Sequence, residues 1–164
     1  MSNFEFTFVV EGFEIALDEQ LDALYLTFDE VTASHTAGKT ELTFVVEAEN
    51  AMAALESTFV RLRDILPNVR VLYLDEDLVA IPDIAARTSR SPESIRLLAN
   101  GQRGPGEFPI PVGVLGGGTR IWKWADVSQW LKDHVTDYNN DSEFVGWEAT
   151  VWFHTLLAHH YVTA

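Results

Sequence analysis

Residues 81–112 read IPDIAARTSRSPESIRLLANGQRGPGEFPIPV, and this stretch differs from the rest of the chain. It holds Arg87, Arg90, Arg96 and Arg103 against three acids, in a protein of net charge −14. Pro82 suits the first turn of a helix, where its missing N–H is not needed, and Asp83 follows with favourable charge. Ile84, Ala85 and Thr88 define one short helix, and Ser89-Arg90 a turn. Ser91-Pro92-Glu93 then restarts the chain as a second helix, with serine at the N-cap, proline at the first helical position and an acid behind it. Ile95 and Leu98 face inward, and Gly101 ends the helix. Two helices of this size joined by a short turn predict a helix-turn-helix, in which small Ala85 permits close packing.

That packing leaves Ser91, Ser94, Arg96, Leu97 and Asn100 on or near the outer face of the second helix. Such a helix fits a major groove, where arginine reads guanine and asparagine reads adenine. Ser91 and the helix N–H groups are suited to a phosphate. Arg87, Arg90 and Arg103 add expected backbone contacts. The next stretch, GPGEFPIPVGVLGGGTRIWKW, has no helical period. It predicts two strands, PIPVGVL and TRIWKW, joined by Gly116-Gly117-Gly118 as a hairpin. Arg120 and Lys123 sit on that hairpin, placed to touch DNA backbone or minor groove. The glycine cluster lacks the GK[ST] ending of a nucleotide-binding loop and is not read as one. Trp124, Val127, Trp130 and Leu131 then form the inner side of a further helix.

Three blocks of this region carry a family resemblance: DIAARTSRS, RGPGEFPIP and RIWKWADVSQWL. Residues 78–132 resemble the small MerR/excisionase-type (AlpA-like) winged helix-turn-helix domains of actinobacterial and phage regulators. The resemblance implies sequence-specific binding of double-stranded DNA, often as a dimer. It assigns the recognition role to Ser91, Glu93, Ser94, Arg96 and Asn100, and the wing role to Arg120. Ser89 stands where those domains usually carry glycine.

Residues 3–11 alternate, with Phe4, Phe6 and Phe8 on one side. Residues 18–27 predict a helix with Leu21, Leu24 and Tyr25 inward, and strands are expected at 29–35 and 40–48. Residues 50–66 form the clearest helix, capped by Asn50 and striped by Ala51, Ala54, Leu55, Phe59, Leu62 and Leu66. Val69, Val71 and Tyr73 alternate as a fourth strand. The order β-α-β-β-α-β predicts a ferredoxin-like sandwich. At the other end, Asp141-Ser142 is expected to cap an apolar helix over 142–162, buried against the body or a second copy. His154, His159 and His160 with Glu148 do not share one helical face, so no metal site is read there.

The expected fold class is therefore α+β. It comprises an acidic ferredoxin-like association domain (1–76), a winged helix-turn-helix (77–135) and a C-terminal helix (136–164). Charge is uneven: residues 79–134 hold seven of the eleven Lys and Arg side chains. There is no cysteine, which excludes disulfides and thiolate chemistry. The apolar runs fall short of the roughly 20 residues that span a bilayer. The first residues lack the basic start of a secretory signal, so a cytoplasmic protein is expected. No catalytic arrangement, cofactor or metal is expected. The sequence reads as a DNA-binding transcriptional regulator, expected to be a homodimer. The alternative is a protein-interaction adaptor with a winged-helix fold that does not bind DNA.

Overall fold

A computed structural model describes residues 1–135 and 137–162. The elements run β1 (Ser2–Glu11), α1 (Asp18–Thr27), β2 (Glu30–Thr36), β3 (Lys39–Ala48), α2 (Ala51–Ile65) and β4 (Arg70–Leu74). They continue with β5 (Leu78–Val79), α3 (Ile81–Thr88), α4 (Pro92–Ala99), β6 (Gly113–Leu115), β7 (Thr119–Lys123) and α5 (Trp124–His134). Last come β8 (Glu143–Phe144) and α6 (Trp147–Val162). The class is α+β. The chain divides into two compact units, one of residues 1–75 with 141–164, the other of residues 76–140.

The first unit is built on a sheet of order β2-β3-β1-β4, antiparallel throughout, with β8 added parallel to β1. Alternation and register together set its core. Phe4 lies opposite Val46, Phe6 opposite Phe44 and Phe8 opposite Leu42, so the aromatic side chains collect on one face. Helix α1 contributes Leu24, and α2 contributes Ala54, Leu55, Phe59 and Leu62. Helix α2 starts as the sequence leads one to expect: Asn50 Oδ1 accepts from the Ala53 amide at 2.9 Å. Tyr25, expected inward on α1, is exposed. The fourth strand also departs from strict alternation. Val9 pairs with Tyr73 and Val10 with Val71, so Leu72 is the extra residue of a bulge. Val71 and Leu74 therefore both point inward, and Tyr73 points out.

The C-terminal residues do not form a segment of their own. Helix α6 begins at Trp147 rather than 142, because residues 143–144 pair with β1 instead. Its Ala149, Phe153 and Leu157 belong to the core of the first unit. Phe153 stacks on Phe8 with centroids 5.0 Å apart and meets Phe59 edge-on at 5.8 Å. Two side chains of α6 also close the outer edge of β4: Tyr161 Oη accepts from the Val71 amide at 3.2 Å, and His154 Nε2 from the Leu74 amide at 3.0 Å. Trp147, Val151 and Val162 remain exposed on the opposite side. Thr136, Thr163 and Ala164, all within the third expected segment, lie outside the described residues. Among the described residues no helix is long and apolar enough to cross a membrane.

The second unit joins α3, α4 and α5 to a small sheet of order β5-β7-β6. Strand β5 has no counterpart in the sequence reading. Two residues are too short for a periodic signal, and only pairing with Trp122 and Lys123 defines it. The hairpin is shorter than expected, since PIPV carries prolines that cannot donate to a ladder and only Gly113–Leu115 pairs as strand. The loop between α4 and the hairpin is nevertheless pinned. Trp122 Nε1 donates to the Pro109 carbonyl at 2.8 Å and Trp130 Nε1 to the Gly106 carbonyl at 3.2 Å. Phe108 packs edge-on against both indoles, at 5.6 and 5.1 Å. Gly104 permits this path: its φ is +76°, and a Cβ there would come within 2.9 Å of Leu98 Cδ2.

Candidate nucleic-acid interface

Helix α3 carries a half capping box, in which Asp83 Oδ2 accepts from the Ala80 amide at 2.8 Å; alanine has no oxygen to complete it. The helix ends on Ser89, at φ +55° and ψ +36°, and the Arg90 amide closes the turn on the Ala85 carbonyl at 3.0 Å. Ser89 thus takes a left-handed conformation that glycine adopts at less cost. The turn forms with serine because Ile84, Ala85, Ile95 and Leu98, all buried, lock the two helices together. A lost Leu or Ile contact costs about 2–5 kcal/mol, more than the strain of one such residue, about 1–2 kcal/mol.

The outer face of α4 exposes Ser91, Pro92, Glu93, Arg96 and Asn100, while Ser94 and Leu97 are half-buried. Ser91 Oγ accepts from the Ser94 amide at 3.1 Å, so its oxygen already caps the helix. Arg96 is ion-paired with Glu93 one turn earlier. Asn100 Oδ1 accepts from Arg120 Nη1 at 3.0 Å, and the Arg120 guanidinium lies over the Trp122 ring at 5.1 Å. The hairpin is thereby clasped to the end of α4. Arg103 is exposed on the following loop.

The other cations named from sequence are held elsewhere. Arg87 forms two hydrogen bonds to Asp77, at 2.6 and 2.9 Å, and lies over the Trp124 ring at 4.9 Å. Arg90 pairs with Asp137 at 2.9 Å. Lys123 pairs with Glu76 at 2.9 Å, with only 14% of its side chain exposed. Strand alternation explains the last case, because residues 120 and 123 of β7 face opposite sides of the sheet. The structure therefore groups Glu93, Arg96, Asn100 and Arg120 around α4 and the hairpin. It does not bring Lys123 onto Arg120's side of the hairpin sheet.

The chain matches no known family model, no curated protein and no solved structure at significance.

Sequence reasoning missed the acids that pair with these cations. Glu76, Asp77 and Asp137 lie just outside the basic stretch, so counting over 79–134 omitted all three. Counted over residues 76–140, the unit carries seven basic and eight acidic side chains, a net of −1. Each of the three added acids meets one cation, Lys123, Arg87 or Arg90. No spacing rule locates such partners, since Asp137 and Arg90 are 47 residues apart. The remaining seventeen acids belong with four cations in the first unit, a net of −13.

Proposed function

We propose that residues 76–140 form a winged helix-turn-helix that binds double-stranded DNA sequence-specifically in a transcriptional regulator. The first unit, with its split β-α-β connections, is read as a ferredoxin-like association domain. The observation that carries this reading is the division of α4 into two faces. Ile95 and Leu98 are buried, while Glu93, Arg96 and Asn100 are exposed beside a hairpin that carries Arg120. Arg96 is the guanine reader and Asn100 the adenine reader; Arg120 and Arg103 meet the phosphates.

Magnitudes decide whether Arg96 is available. An exposed ion pair of the Glu93–Arg96 kind is worth about 0–1 kcal/mol. A bidentate arginine–guanine contact discriminates by about 1–3 kcal/mol. Exchange of Glu93 for a guanine is therefore favourable at the right sequence and close to neutral elsewhere. Arg87, Arg90 and Lys123 are better assigned to holding the unit together. The surrounding net charge of −14 repels DNA at long range, so non-specific affinity is low and specific affinity rests on a few local contacts.

Fluorescence anisotropy with a selected duplex tests this. Arg96→Ala is expected to weaken binding by about 1–3 kcal/mol and to relax the preference at one base pair. Unchanged affinity and unchanged preference would remove the recognition role from α4. A second reading has its own support: among the described residues four of the unit's seven cations are ion-paired, and the unit is net −1. That favours an adaptor in which the winged fold meets protein rather than DNA. The adaptor shows no salt-sensitive binding to random duplex at low ionic strength; the regulator does.

A further inference from the structure

The two long edges of the first sheet are treated differently. On the β4 side, Tyr161 and His154 of α6 accept from strand amides, and β8 covers the start of β1. On the β2 side no such cover is found among the described residues. Strand β2 pairs with β3 without a register break from Glu30 to Thr36, and no strand lies beyond it among the described residues. Its sequence, EVTASHT, has none of the proline, lysine or bulge with which proteins usually blunt a free edge. Helix α1, which leads into β2, exposes Tyr25 at 53% and Leu26 at 87% in its last turn.

We propose that β2 is a self-association edge, occupied by β2 of a second copy of this chain in antiparallel pairing. The choice of occupant comes from the strand's own pattern. Full overlap of the strand with itself places a two-fold axis at Ala33. Glu30 then lies opposite the partner's Thr36, Val31 opposite the partner's His35, and Thr32 opposite the partner's Ser34. No acid faces an acid, a small alanine sits at the axis, and hydroxyl meets hydroxyl, a favourable cross-strand pair. A basic peptide would meet a single acid on this strand, Glu30 at its start, and none at Thr32, Ser34 or Thr36. Tyr25 and Leu26 supply apolar surface that strand pairing alone lacks. The result is one continuous sheet across two copies. Self-association through β2 rests on reading the first unit as an association domain and is independent of DNA binding.

The first unit carries a net of −13, so two copies repel each other beyond the contact. Salt screens that repulsion over a Debye length of about 10 Å at 0.1 M. Association should therefore tighten as salt is added, opposite to the behaviour of a basic partner or of DNA.

Sedimentation velocity on the full chain without DNA tests the proposal at low and high salt. The wild type is expected to show a dimer whose population rises with salt. Thr32→Lys with Ser34→Lys, and separately Thr32→Glu with Ser34→Glu, place like charges opposite each other. Each double variant is expected to be monomeric, with its circular dichroism melt close to wild type. A one-to-one mixture of the two is expected to restore the dimer at low salt. Leu26→Glu, which leaves the sheet untouched, is expected to weaken the wild-type dimer. A monomeric wild type at all salt concentrations, dimers that survive all of these substitutions, or a charge-swapped mixture that stays monomeric would overturn it.

Discussion

Phe153→Ala measures how much the first unit depends on α6. The ring is fully buried, stacked on Phe8 at 5.0 Å and edge-on to Phe59 at 5.8 Å. Its removal takes away transfer free energy and leaves a cavity between α6, α2 and β1. A Phe→Ala change of this kind costs about 3–5 kcal/mol, to which lost ring pairing contributes about 0.5–1.5 kcal/mol per aromatic neighbour. Against a typical domain stability of about 5–15 kcal/mol, that is enough to halve the stability of the unit or unfold it. Val151→Ala on the exposed side of the same helix is the control, expected within about 0.5 kcal/mol of wild type. Urea unfolding followed by far-ultraviolet circular dichroism reads both, with the midpoint shift converted at constant slope. If Phe153→Ala costs less than about 1 kcal/mol, α6 is not part of this core.

Three further outcomes are expected. Ser89→Gly should stabilise the second unit by about 0.5–1 kcal/mol, because relief of a left-handed serine outweighs the added freedom of glycine in the unfolded chain; a thermal melt checks this. Burial and the neighbouring Arg63 guanidinium, which donates to the ring at 2.9 Å, hold His160 below its ordinary pKa. The folded state then binds fewer protons than the unfolded one, so this stabilisation is complete above the ordinary value of 6.5 and is lost as pH falls below it; His160→Gln should flatten urea midpoints measured from pH 7.5 to 5. Glu93→Gln frees Arg96 and removes a charge that repels phosphate, so random-duplex affinity should rise by up to about fivefold, in line with an exposed pair worth at most about 1 kcal/mol, as read by fluorescence anisotropy at low salt.

Where one residue type dictates one local structure, the sequence was legible. Asn50 and Ser91 cap their helices, Pro92 opens α4, and the Phe4, Phe6, Phe8 alternation marks the buried side of β1. The inner residues of α3 and α4 followed from spacing alone. What escaped depended on partners distant in sequence. The bulge that turns Tyr73 outward is set by pairing with β1, and β5 exists only against β7. An apolar helix at 142–162 could be read, but its place could not, since almost every face of α6 is apolar and no stripe points to a partner. The basic stretch misled most. Linear counting treated Arg87, Arg90 and Lys123 as free, whereas folding gives each an acid from outside the window.

The most direct measurement for the central proposal is selection of bound sequences from a random duplex pool, with wild type and Arg96→Ala side by side. One enriched motif is expected for the wild type, with a guanine position whose preference disappears in the variant. Recovery of no motif from the wild type, or of the same motif from both proteins, would contradict it.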